Sequence, residues 1–136
     1  MTTVEPPCDF GPVPGARLER DPQAAVHARR MVRAFLGDLP RPVPREAAEA
    51  VTLVVSELVT NVVRHARGGL CSLDLRDVGH GVGISVSDDD PEPPRPRRLD
   101  LTGQGGFGWP LVRRLTSELT VLSRPDGKTV RAVVRF

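Results

Sequence analysis

Glu57, Asn61 and His65 stand four residues apart, a spacing that sets a carboxylate, a carboxamide and an imidazole on one face of a helix. Val51, Val54, Val55, Leu58, Val59 and Val62 supply the apolar side of the same segment, so that helix would hold Glu57 and Asn61 against a core or a pocket. A buried acid without a partner is costly, so a cation, a ligand or water must compensate it. A divalent metal carrying a polyphosphate would do so well. His65 reads as a residue of the helix end, where a group that can carry positive charge is favoured by the helix dipole.

A second group of residues lies further on. Gly103-Gln104-Gly105-Gly106-Phe107-Gly108 runs straight into Trp109-Pro110-Leu111-Val112, in which Pro110 suits the first turn of a helix. A glycine turn that opens a helix offers unpaired backbone N–H groups to a phosphate, and taken alone it is equally a structural turn. It is not a Walker loop, because Gly127-Lys128-Thr129 lacks the glycine five positions earlier. Nor is it a dinucleotide fingerprint, since the glycines follow a long polar stretch and not the first strand of a βαβ unit. Asp88 is the remaining candidate, either a ligand at a strand end or the start of an Asp88-Asp89-Asp90-Pro91 turn.

The elements that must position these groups can be read from periodicity. Asp21-Pro22 has the form of a helix start, and Ala25, Ala28, Val32, Phe35 and Leu36 recur at helical spacing until Gly37. After the Pro40 to Pro44 breaker, Arg45 to Arg67 reads as a long second helix that ends before Gly68-Gly69. From Leu70 the period becomes two: Cys71, Leu73 and Leu75 alternate with Ser72, Asp74 and Arg76. A turn at Val78 to Gly81 leads to Val82, Ile84 and Val86, and the parity carries Asp88 to the apolar face. A third helix follows the glycines. Thr120 to Arg124 and Thr129 to Phe136 close the chain as a hairpin around Pro125-Asp126-Gly127-Lys128, with Val130, Ala132, Val134 and Phe136 on one face. The order ααββαββ predicts an α+β fold, a two-layer sandwich of a mixed, largely antiparallel sheet with helices packed on one face.

The 136 residues suit one domain, expected over 21–136 behind a flexible arm at 1–20. Residues 1–15 hold four prolines but neither a basic start nor an apolar segment, so a secretory signal is not expected and the cytoplasm is. No apolar run approaches the ~20 residues that span a bilayer. Cys8 and Cys71 are far apart and read as free thiols. With 19 basic and 17 acidic residues the chain does not have the charge of a nucleic-acid-coating protein, despite Arg29-Arg30, Arg33 and the Arg95-Pro96-Arg97-Arg98 cluster.

Taken in order, Glu57-x-x-x-Asn61 on a helix, Asp88 at a strand end and the Gly103 to Gly108 loop before another helix resemble the GHKL, or Bergerat, ATP-binding fold of sensor histidine kinases, type II topoisomerases and certain chaperones. More narrowly, Val54-Val55-Ser56-Glu57-Leu58-Val59-Thr60-Asn61-Val62-Val63-Arg64-His65-Ala66 is similar to small actinobacterial regulators related to anti-sigma-factor serine kinases. The resemblance implies that Asn61 ligates Mg²⁺ and that Glu57 is the general base towards a serine hydroxyl. It also implies that Asp88 accepts a hydrogen bond from the adenine amino group with Thr129 in support, and that the backbone of Gly103, Gly105, Gly106 and Gly108 closes over the phosphates of ATP. The expected partners are a sigma factor and an antagonist protein, with a homodimer as a further possibility. Two departures from the family pattern motivate an alternative, a non-catalytic interaction module of the same fold with weak or no ATP binding. No glycine follows Asp88 in Asp88-Asp89-Asp90-Pro91, and Trp109-Pro110 stand where small or aliphatic residues are usual.

Overall fold

The computed structural model describes residues 16–19, 21–65, 70–90 and 108–136, with His65 and Leu70 described by their backbone alone. The chain runs β1 (Ala16–Glu19), α1 (Ala24–Asp38), α2 (Arg45–His65), β2 (Leu70–Asp77), β3 (Gly81–Asp88), α3 (Gly108–Leu115), β4 (Glu118–Arg124) and β5 (Gly127–Arg135). The five strands form one sheet in the order β1-β2-β3-β5-β4, and every neighbouring pair is antiparallel. The expectation of an α+β sandwich holds, and the sheet is antiparallel throughout its described strands rather than mixed.

The helices cover one face of this sheet. Val51, Val54, Val55, Leu58, Val59 and Val62 of α2 are buried together with Ala24, Ala28 and Val32 of α1 and Val112 of α3. Across from them stand Cys71 and Leu73 of β2, Val82, Ile84 and Val86 of β3, and Val130, Ala132 and Val134 of β5. The spacing that places a helix stripe inward and the alternation that places every second strand residue inward thus meet in a single core. Valine dominates it, and β-branched side chains with few rotamers fill such a layer at small entropic cost.

Several boundaries differ from the sequence reading: β4 begins at Glu118 and β5 at Gly127, each two residues early, and the start of the chain differs more. Ala16–Glu19, placed in the arm by sequence, pairs with Leu70–Leu73 as an edge strand, and Leu18 is its one buried residue. The first helix begins at Ala24, not at Pro22. Asp21 instead shapes the turn ahead of it, its side chain accepting from the Gln23 N–H at 2.8 Å and its carbonyl from the Ala24 N–H at 3.0 Å. The β2–β3 turn rests on Gly79, whose φ of 91° suits glycine, while Asp77 accepts its N–H at 2.9 Å. Among the described residues no helix is long and apolar enough to cross a membrane.

Candidate functional site

The twenty-one residues of α2 carry both polar candidates in their second half. Glu57 and Asn61 are half-buried, one turn apart, and the buried Leu58, Val59 and Val62 between and beyond them fix the rotation of the helix. Among the described residues none forms an ion pair or hydrogen bond with either side chain, so both keep their full capacity for a ligand.

What lies against Glu57 is the start of α3. A Cβ built on Gly108 would stand 2.7 Å from Glu57 Oε2 and 3.7 Å from its Cδ. Only a glycine permits this approach without displacing the carboxylate. The acid of α2 therefore meets the first residue of the helix that the glycine segment opens. Of that segment Gly108 is described and stands beside Glu57, whereas the proposed phosphate contacts Gly103, Gly105 and Gly106 lie outside the described residues.

Asp88 ends β3 on the helix-facing side, in line with Val82, Ile84 and Val86, and is 3% exposed. It is not free. Lys128 of β5 is its cross-strand neighbour and places its ammonium 2.9 Å from Oδ2 and 3.1 Å from Oδ1. Oδ1 also accepts the Asp90 N–H at 2.8 Å, and Lys128 Nζ donates to the Asp90 carbonyl at 3.1 Å. The two side chains are 2% and 8% exposed, a buried pair whose charges compensate each other. Removing one partner of such a pair typically costs about 3–5 kcal/mol, because the other charge is left buried and alone.

Thr129 does not join Asp88, and the reason is strand parity. It pairs across with Ser87, and its hydroxyl lies 2.8 Å from Ser87 Oγ, on the face away from the helices. Arg124 Nη1 donates to the same oxygen at 2.8 Å. The residue beside Asp88 is Lys128, which the sequence reading assigned to the turn. Its position was legible all the same, because Val130, Ala132 and Val134 point inward and Lys128 shares their parity.

Among the described residues no three His, Cys, Asp or Glu side chains gather in a way that could hold a metal on their own. The donor set near Asn61, a carboxamide oxygen with a carboxylate one turn away, fits an ion that takes few protein ligands and completes its shell with phosphate oxygens and water. Mg²⁺ has this preference. A cleft of about 420 Å³ between α3 and β4, lined by Trp109, Arg113, Thr116, Ser117, Leu119 and Val121, contains none of the candidate residues.

Residues 18–134 match the family model of the histidine kinase-like ATPase domain, and the chain belongs to that family. Its fold is shared with the RsbU and RsbW domains of Rv1364c from Mycobacterium tuberculosis, at 22% identity and a TM-score of 0.61 over 91% of this chain and 33% of that one. It is also shared with the histidine kinase domain of the blue-light activated histidine kinase EL346 from Erythrobacter litoralis, at 24% identity and a TM-score of 0.56, over 82% of this chain and 63% of that one. The chain thus spans about a third of the first of these structures and under two thirds of the second. No curated protein sequence matches it.

Proposed function

We propose that the chain is an ATP-binding regulator of the anti-sigma-factor type, which sequesters a sigma factor and phosphorylates a serine on an antagonist protein. The observation that carries this reading is the placement of Glu57, an unpaired carboxylate on α2, against Gly108 at the opening of α3. The motif at 54–66 and the likeness to an RsbW domain support the regulatory class.

In this mechanism the backbone N–H groups at the start of α3 face the phosphates, where the positive end of the helix favours their charge. Asn61 would hold Mg²⁺ through its side-chain oxygen, and the ion would supply charge neutralisation at the phosphates. Glu57 accepts the proton of the attacking serine hydroxyl as the serine oxygen bonds to the γ-phosphorus, the bond to the β,γ-bridging oxygen breaks, and ADP leaves. Asp88 faces the base. Because phosphoryl transfer depends mostly on positioning and charge, a half-buried carboxylate held by a packed helix is a suitable acceptor.

The test separates binding from transfer. Calorimetry with ATP should show saturable, Mg²⁺-dependent binding that Asn61→Ala or chelation of the metal abolishes. Glu57→Ala should bind ATP within about threefold of the parent, yet lose at least a hundredfold in γ-phosphate transfer read as ADP release, the usual range for a general base. Equal loss of both in Glu57→Ala would make Glu57 a binding residue and end the catalytic assignment.

A second reading is favoured by the Asp88–Lys128 pair, which engages both carboxylate oxygens. It keeps the fold and drops the enzyme: the chain is then a protein-interaction module. Absence of binding at millimolar ATP, in calorimetry and in Trp109 fluorescence alike, is the outcome it requires.

A further inference from the structure

We infer that Lys128 sets the base selectivity of the nucleotide site, so that the chain takes 6-oxo purine nucleoside triphosphates as readily as 6-amino ones. This rests on the reading of Asp88 as the residue that faces the base. A lone buried carboxylate is an acceptor only, and it admits a base through an exocyclic amino group while rejecting an oxygen at the same position. Sites built on one such hydrogen bond discriminate strongly against the analogue that cannot make it, since a buried polar group is then left unpaired.

Asp88 does not have that character. Its Oδ1 is taken up by the Asp90 N–H and by Lys128 at 3.1 Å, while Oδ2 receives Lys128 alone, at 2.9 Å, and keeps one lone pair for an amino group. The Lys128 ammonium has three N–H bonds and reaches three acceptors, Asp88 Oδ1, Asp88 Oδ2 and the Asp90 carbonyl at 3.1 Å. The Asp90 contact is the one that does not join opposite charges, and hence the one that a base oxygen can replace at least cost. The pair therefore offers an acceptor and a donor side by side with no net charge. Of its neighbours, Val86 and Val130, next along the same face, are apolar and buried, Thr129 and Ser87 turn to the opposite face, and Asp90, which is also buried, touches the pair through its backbone N–H and carbonyl. The acidic side chain of Asp89 is exposed.

The experiment is a calorimetric comparison of ATP, ITP and GTP on the full chain. All three carry the same triphosphate, so a ratio of Kd values cancels the phosphate and metal contributions and any change in the folded fraction. In the unsubstituted chain the ATP and ITP values should agree within about tenfold, and GTP should follow ITP. Lys128→Thr, which leaves Asp88 as a bare acceptor, should raise the preference for ATP over ITP by at least about tenfold, whereas Lys128→Arg should keep the ratio of the parent. A preference for ATP well beyond tenfold in the unsubstituted chain overturns the inference, as does a ratio that Lys128→Thr leaves unmoved. Should Lys128→Thr fail to fold, the parent ratio and that of Lys128→Arg decide the matter. The two failures are distinguishable: Asn61-dependent ATP binding with ITP rejected removes only the role of Lys128, and absence of binding by any nucleotide removes the ATP-binding reading with it.

Discussion

A carboxylate acts as a base only where it is held in place and its lone pairs are unclaimed; Glu57 has no ion pair or hydrogen bond among the described residues, and Gly108 is the close neighbour of its carboxylate. A single methyl group tests it. Gly108→Ala puts a Cβ within 2.7 Å of Glu57 Oε2, and because the obstacle is the far end of a flexible side chain, the carboxylate moves while the backbone stays. Alanine also gains up to about 1 kcal/mol of helix propensity over glycine at the start of α3. Urea unfolding should therefore show a stability within about 1 kcal/mol of the parent, while ADP release falls at least tenfold with ATP affinity little changed, since small misplacements of a reacting group are costly. An unaltered rate in a folded variant would detach Glu57 from the chemistry. Asp88 is the contrasting residue, buried and engaged at both oxygens by Lys128 and at Oδ1 by the Asp90 N–H, so it can serve a ligand only as one half of a pair.

The element that aims these residues is α2, whose register is fixed by its valines. Val59 is fully buried between Glu57 and Asn61, whereas Leu53 on the same helix is 45% exposed. Val59→Ala should cost about 2 kcal/mol in urea unfolding, from two lost methyl groups and the cavity they leave, and Leu53→Ala should stay within about 0.5 kcal/mol. Equal effects at the two positions would mean that the helix is rotated from the orientation described. This orientation was legible in the sequence, since an apolar stripe of period 3.6 running from Val51 to Val62 admits one inward face. β2 and β3 were legible by their alternation, and the parity of β3 carried Asp88 inward. Four residues with one buried side chain carry no period, which is why β1 was not seen: Ala16–Glu19 becomes a strand only because β2 offers an edge. Lys128 was obscured by the reach of the hairpin. Reading Pro125 to Lys128 as the turn gives Lys128 no face, but only Pro125 and Asp126 turn, and β5 begins at Gly127. The partner that neutralises Asp88 lay one parity step from Val130.

At the scale of the whole molecule the sheet has two ends with separate tasks. Asp88 and Lys128 sit at one, and at the other three distant segments are tied together. Arg41, in the connection between α1 and α2, donates to Asp77 at the end of β2 at 2.8 Å and lies 4.9 Å from the ring centre of Phe136. The Phe136 N–H in turn donates to the His80 carbonyl at 3.1 Å, so the helical layer, the β2–β3 turn and the last strand share one junction. The hydrogen bond from Arg41 is the main cause that holds the Asp77 carboxyl below the usual carboxylate range, with the Gly79 N–H adding to it. Because the folded carboxyl lies below its unfolded value, the junction stabilises the chain fully above the unfolded pKa of about 4 and loses that contribution as pH falls through the depressed folded value. Asp77→Asn removes the titrating group but leaves the shape. Its urea midpoint should lie below that of the parent at about pH 7, and the gap should narrow as both are taken into the acid range and the parent carboxyl takes up its proton. ATP affinity at neutral pH should not change, since the junction lies at the far end of β3 from Asp88. A gap that stays constant across the acid limb would assign the loss to packing around Arg41 rather than to the charge of Asp77, and a fall in ATP affinity would show that the two ends of the sheet are coupled.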